Sequence, residues 1–200
     1  MEHLKLFCTC FFIIFSIIDI IGNAPIIIGY LKNGFKINVN QIIFLSSGIF
    51  LFFLFLGDYF FNIFGIDIYS FSLAGSIILF IISLEMILGI NFNKIKKSAQ
   101  ISIMPISFPL IAGPGSVTTL ISLTENYEIK IILFSLIINI IIVYFVLKNL
   151  SFIEKKINNE YLNIFNKLFG IILLSFSIKL FVRNICYIFN SENILNLIKT

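Results

Sequence analysis

The sequence predicts an all-α membrane protein of six transmembrane helices in two inverted three-helix repeats, with spans 1 and 4 broken near the membrane centre. Three observations lead there. The 200 residues are 59% hydrophobic and 12% charged, with a mean hydropathy of +1.06, a composition that no soluble domain needs for its core. Six apolar stretches approach the roughly 20 residues that a helix needs to cross a hydrocarbon layer about 30 Å thick. Two of those stretches are interrupted at their centres by small, helix-disfavouring residues in corresponding places.

The spans are expected near 6–30, 42–61, 69–90, 102–123, 130–147 and 165–186. The first carries Asp19-Ile20-Ile21-Gly22-Asn23-Ala24-Pro25 at its centre. No small-residue cleavage site follows it, and Asp19 and Asn23 fall where a secretory leader stays apolar, so it reads as a retained span. In the second, Asp58 lies near one end and is expected at the interface. The fourth carries Pro109-Leu110-Ile111-Ala112-Gly113-Pro114-Gly115. Asn139 in the fifth is read as a hydrogen-bonding link between helices rather than a ligand. The connecting segments are short, which leaves one membrane domain over 1–200, with repeat one about 1–97 and repeat two about 98–200. IIGNAP at 20–25 lies over LIAGPG at 110–115, and GSIILFIISLE at 75–85 over GIILLSFSIK at 170–179 with one gap. Three spans per half reverse the direction of the second copy, which makes the repeat inverted.

Charge sets the expected orientation. The segments after spans 1, 3 and 5 hold nine basic residues (Lys32, Lys36, Lys94, Lys96, Lys97, Lys148, Lys155, Lys156 and Lys167), against four on the other side (Lys5, Lys130, Arg183 and Lys199). By the positive-inside rule the first group is cytoplasmic and both termini are periplasmic or external. The net charge of +4 is thus a topology signal. No basic stripe interleaves with aromatics as a nucleic-acid partner requires. Cys8, Cys10 and Cys186 have no metal-ligand spacing with the single His3; the cysteines are read as small packing residues and His3 as solvated. No HExxH, CxxC or catalytic Ser, Lys or Asp grouping is present, so neither enzyme activity nor a metal or organic cofactor is expected.

The chemistry is expected at the breaks. In hydrocarbon every backbone polar group needs an internal partner, so a helix opens only against protein or a water-filled cavity. Pro25 and Pro114 each remove a donor, and Gly22, Gly113 and Gly115 permit non-helical angles. A half-helix starting after each break would aim its positive end at the membrane centre, where a carboxylate binds. Simple proline kinks or close-packing glycine sites are the plainer alternative.

Three charges lie within spans. Asp19 sits near mid-membrane, where a carboxylate costs about 2.5–3.5 kcal/mol on insertion scales; it is either a neutral, hydrogen-bonded acid or a coupling group. Lys179, roughly 6 Å outward of its span's centre, is placed to reach Asp19. Glu85, roughly 9 Å to the cytoplasmic side, is placed to snorkel and is too far in depth to pair with Lys179. Glu85 and Lys179 read as equivalent positions of the two halves.

The stretches FSIIDIIGNAPIII at 15–28, GIDIYSFSLAGSIILFIISLEMILG at 65–89 and MPISFPLIAGPGSVTTLI at 104–121 resemble the signatures of the MarC family, and the resemblance covers essentially the whole chain. It implies a six-span inner-membrane protein of bacterial or archaeal type. The family takes its name from a multiple-antibiotic-resistance locus, and some members are classed as neutral amino acid transporters. The chain departs from the family pattern at Ile20, where Pro follows the aspartate in relatives, and at Ala74-Gly75-Ser76, where a second Gly is usual. The first break is therefore expected to be less open than in relatives.

The function expected is that of a secondary transporter or exporter of small zwitterions such as neutral amino acids. Its substrate-binding set is Asp19, Gly22, Asn23, Pro25, Gly113, Pro114 and Gly115. Asp19, Lys179 and Glu85 are the intramembrane charges that Na+ or H+ coupling would use. The partners expected are the lipid bilayer and a small-molecule substrate. The alternative is a non-transporting scaffold or stress-related membrane protein; drug efflux has only the family's name behind it.

Overall fold

A computed structural model describes residues 2–32, 37–89, 106–156 and 159–189 of the chain. The described residues hold helices and no strand. They run α1 (Glu2–Ile18), α2 (Ile20–Lys32), α3 (Val39–Phe64), α4 (Ile68–Leu88), a wide irregular turn over Ile106–Ile111, α5 (Pro114–Leu123), α6 (Ile129–Lys156) and α7 (Asn159–Ile188). Five stretches are long and apolar enough to cross a membrane: Leu4–Leu31, which joins α1 and α2, then Val39–Phe64, Ile68–Leu88, Ile129–Leu150 and Lys167–Ile188. With 10 residues, α5 reaches about 15 Å, half of the hydrocarbon core. The described part of the expected span over 102–123, residues 106–123, is therefore a turn followed by a half-helix. The segment 90–105, with Lys94, Lys96, Lys97 and the expected boundary between the halves, lies outside the described residues, as do Lys36 and Lys199. The side chains of His3, Lys32, Lys155 and Lys156 do as well.

Local signals stop and start the helices. Gly65 ends α3 in the left-handed region at φ 60°, its N–H donating to Asn62 O and Phe61 O, a conformation that costs glycine least. Two residues on, Asp67 caps α4 by accepting from Ser70 N and Ser70 Oγ, each at 2.7 Å. Asn38 Oδ1 does the same for α3, accepting from Gln41 N at 3.3 Å.

Lipid is as apolar as leucine, so helices associate through close packing and polar links. The buried stripe of α3, Ile42, Ser46, Phe50, Leu54, Gly57 and Phe61, advances in steps of three or four, while Phe44, Phe55 and Tyr59 point away from the bundle. On α4 the buried positions include Ser72, Gly75, Ser76 and Ser83, small enough for close approach. The main partner of α4 is α7. At one end of that pair, a Cβ on Gly170 would meet Ile87 Cγ1 at 2.9 Å and Met86 Cβ at 3.1 Å. At the other, Asn184 Nδ2 donates to Ser72 Oγ at 2.9 Å, and Tyr69 stacks on Tyr187 at 3.5 Å between ring centroids. Asn139 is the interhelical link expected of it: buried on α6, it donates to Phe11 O of α1 at 3.3 Å and to Ser135 O at 2.9 Å. Of the cysteines, Cys10 is buried as a packing residue should be, whereas Cys8 and Cys186 are exposed; each projects from the outer side of its helix.

Contacts fix which helix ends lie together. Phe7 of α1 meets Phe134 near the start of α6, Phe61 and Val117 share a cluster that joins α3 to α5, and the start of α4 meets the end of α7 through the two tyrosines. One end of the bundle thus gathers the start of α1, the Gly65–Asp67 turn, the 124–128 turn and the end of α7.

Gly170→Val should lower stability by about 1–3 kcal/mol through overpacking against Ile87 and Met86, read as thermal unfolding in detergent. Gly48→Val, where an added Cβ meets nothing within 4 Å, should leave the transition in place.

Candidate functional site

The first break falls at Asp19 itself. Its φ is 43°, the left-handed region that Asp and Asn tolerate better than other side chains. In an unbroken helix Gly22 N–H would donate to Ile18 O; here it donates to Asp19 Oδ1 at 3.2 Å, so the carboxylate caps the start of α2. Ile18 O is thereby released and accepts from Asn23 Nδ2 at 3.1 Å. The helix then continues through Gly22 and Pro25. The sequence reading spread the break over Asp19 to Pro25 and gave the helix-breaking to Gly22 and Pro25. That point is corrected: the aspartate makes the break by its own backbone angle and its capping bond. Gly22 is required by space, because a Cβ there would collide with the Asp19 carboxyl group.

The second break follows a related logic. Phe108 is extended (φ −140°, ψ 126°), Phe108-Pro109 is a cis peptide, and Ala112 N–H reaches back to Ser107 O at 2.9 Å. Pro114 has no N–H with which to satisfy Leu110 O, and that carbonyl accepts from Asn23 Nδ2 at 3.2 Å. Ser116 Oγ donates toward Gly113 O at 2.9 Å and Ile111 O at 3.1 Å. Gly113 has an extended backbone open to any residue (φ −76°, ψ 166°); it must be glycine because a Cβ would run into the Pro109 carbonyl. Pro114 sits directly on the backbone of Gly75, which seats the start of α5 against α4. Ser107, wholly buried, ties the turn to α3 by donating to Ile42 O at 3.4 Å.

The two breaks face one cavity of about 120 Å³. Asp19, Gly22, Asn23, Gly113 and Gly115 all line it, with Ser16 and Ser116 as further polar groups and Leu79, Phe169, Ile172, Leu173 and Phe176 as apolar wall. Of the expected site residues, Pro25 and Pro114 shape the segments without lining the cavity. Lys179 is exposed on α7 and outside the lining, so it is not brought to Asp19. Glu85 lies away from the cavity and close enough to Tyr30 to act on it electrostatically. Sequence reasoning missed Ser116, although a hydroxyl residue directly after Gly-Pro-Gly stands where freed carbonyls need a donor. It also missed the α7 wall, whose Phe, Ile and Leu residues look like any lipid-facing stretch.

The two helix starts differ electrically. That of α2 is occupied by the Asp19 carboxylate; that of α5 has no side-chain cap, and its first turn, Gly113 to Ser116, borders the cavity.

Long apolar helices enclosing two interrupted ones around a shared internal cavity define a multi-pass integral membrane protein. The comparisons refine the class. The model of the MarC family integral membrane proteins matches residues 4–189, and the chain belongs to that family. A UPF0056 membrane protein of Methanocaldococcus jannaschii is 27% identical over 198 residues, covering 91% of this chain and 97% of that protein. One of Chlamydia pneumoniae is 30% identical over 189 residues, covering 90% and 92%, and one of Buchnera aphidicola is 29% identical over 177 residues, covering 84% and 90%. No solved structure matches the chain.

Asn23→Leu should cost roughly 1–2 kcal/mol of stability, because two buried carbonyls lose their shared donor. The measurement is thermal unfolding in detergent, beside Asn149→Leu, an exposed residue that bonds only within its own helix. Equal effects for the two would remove the bridging role.

Proposed function

We propose that the chain is a secondary transporter or exporter of small zwitterions such as neutral amino acids. The observation that carries this reading is that both helix breaks line one cavity. A zwitterion needs one site for a carboxylate and another for an ammonium group. The uncapped α5 start supplies the first, through the partial positive charge and unbonded N–H groups of its opening turn. Asp19, on the opposite break, supplies the second. The wall of Leu79, Phe169, Ile172 and Leu173 suits an apolar side chain. At about 120 Å³ the cavity is far below the several hundred Å³ typical of drug-sized sites, which counts against bulky cargo. Asp19 is also the group through which H+ or Na+ coupling would act, since an ionised carboxylate at that depth is costly when the solute has left.

The transporter reading carries an inverted repeat with it, in which α1 with α2, α3 and α4 correspond to the turn with α5, α6 and α7. The packing supports this correspondence. Under the exchange, the contact of α1 and α2 with α6 maps onto that of α5 with α3, and the contact of α2 with α7 maps onto that of α5 with α4. The α3–α6 and α4–α7 pairs map onto themselves. With nine basic residues against four, the proposed orientation in a bacterial inner membrane places both termini in the periplasm.

Purified protein in liposomes should move labelled neutral amino acids. Ser116→Val and Gly113→Leu should each reduce the flux at least tenfold, and Asp19→Asn should abolish its dependence on an ion gradient. Absence of protein-dependent flux for every neutral amino acid, with and without Na+ and H+ gradients, would sink the proposal. Orientation is read separately: in intact cells Glu128→Cys should label from outside and Asn149→Cys should not, and the opposite pattern would invert the topology.

A further inference from the structure

A second concavity lies between α1 and α5. It is an open groove of about 570 Å³ lined by Thr9, Phe12, Ile13, Ser16, Ile17 and Thr119. Ser16 and Ile17 line the central cavity as well, so the two spaces adjoin across these two side chains. Thr9 and Ser16 are two turns apart on one face of α1, and Thr119 stands on α5 across from them. The hydroxyl protons of Thr9 and Thr119 are held by Lys5 O at 3.0 Å and Gly115 O at 2.8 Å of their own helices. Their oxygens remain as acceptors along a groove that otherwise has Phe12, Ile13 and Ile17 for walls. From the cavity, the groove runs toward the end of the bundle that holds the start of α1 and the 124–128 turn.

The other side of the cavity is filled. Ile26, Leu79 and Leu110 form a buried cluster, packed against Tyr30 and Met86 and against Leu173 and Leu180 of α7. Ile26 and Tyr30 lie beyond Asn23 along α2, which leads away from the groove. The cavity thus adjoins an open groove along α1 and α5, whereas three apolar side chains, from α2, α4 and the 106–111 turn, pack along its other side.

From this asymmetry we infer that the α1–α5 groove is the aqueous entry to the central site from the end bearing the 124–128 turn, and that Ile26, Leu79 and Leu110 form the closed gate on the opposite side. The inference rests on the transporter reading for its purpose. Its test does not, because water access is measured without any flux.

The experiment uses single cysteines in a full-length chain whose Cys8, Cys10 and Cys186 have been replaced by Ser, Ala and Ser, reconstituted in vesicles. The probe is a membrane-impermeant quaternary ammonium thiosulfonate. Glu128→Cys marks the groove end and Asn149→Cys the other end. Ile137→Cys, on the outer side of α6 with 52% of its surface exposed, reports lipid. Thr9→Cys, Ser16→Cys and Thr119→Cys should react at least tenfold faster than Ile137→Cys with reagent on the Glu128 side. Ile26→Cys should be at least tenfold slower than Ser16→Cys with reagent on either side. Groove cysteines no faster than Ile137→Cys would show that lipid fills the groove and overturn the inference. Fast modification of Ile26→Cys from the Asn149 side would overturn the gate. A chain that moves no amino acid yet labels along the groove keeps this route and loses the transporter reading; one that transports with an unlabelled groove does the reverse. Thr9→Cys lies farthest from the breaks and tests the groove even if Ser16→Cys perturbs them.

Discussion

One side-chain amide holds the centre of this protein together. Asn23 Nδ2 donates at once to Ile18 O, released where α1 ends, and to Leu110 O, released because Pro114 has no N–H to give it. In water each of those carbonyls would find a solvent partner; in the middle of a bilayer an unsatisfied carbonyl costs several kcal/mol. The cost of opening two helices is met largely by residues of the breaks themselves: Asp19 takes the Gly22 N–H, Asn23 takes two carbonyls and the Ser116 hydroxyl reaches the carbonyl of Ile111. The breaks are therefore mutually dependent. Neither is fully satisfied without the other, and the cavity between them follows from that dependence.

The same hydrogen bonds make the two breaks alike in pattern and unlike in charge. Asp19 ends its helix and fills the positive start of the next with its own carboxylate. The second break uses proline and a glycine too close to Pro109 O to be anything else, and it leaves its helix start bare. A cavity with a carboxyl group on one wall and uncapped N–H groups on the other is a dipolar environment built from the backbone and one acid. Lys179 lies outside it.

Much of the fold was legible because membrane helices obey length and composition. The long apolar helices and the two interrupted segments could be read from composition and length alone, whereas the stop at Gly65 and the cap at Asp67 came from the structure. The residues at the breaks were legible as a group, since Gly, Pro, Asp and Asn have few other reasons to meet inside apolar runs. The mechanism of the first break was not. Whether an Asp adopts a left-handed angle depends on what can then satisfy Ile18 O and Gly22 N–H; the Asn23 amide and the Asp19 carboxylate do so here, and the same amide is also held by Leu110 O, 87 residues from Asn23. Lys179 was misplaced for a related reason: depth in the membrane fixes one coordinate, while the rotation of α7 is set by Gly170, Asn184 and Tyr187 against α4. The α7 wall of the cavity was invisible because Phe169, Ile172 and Phe176 have the same chemistry whether they face lipid or solute.

That wall gives the order of synthesis a structural meaning. Phe169, Ile172, Leu173 and Phe176 belong to α7, the last of the described helices to leave the ribosome, and α4 keeps the small residues Ser72, Gly75 and Ser76 for close neighbours. Until α7 arrives, Ser72 lacks its Asn184 partner, and the cavity lacks a side. A nascent chain can thus insert most of its helices without enclosing a polar cavity in the bilayer, and the interior is sealed in the same step that completes the bundle.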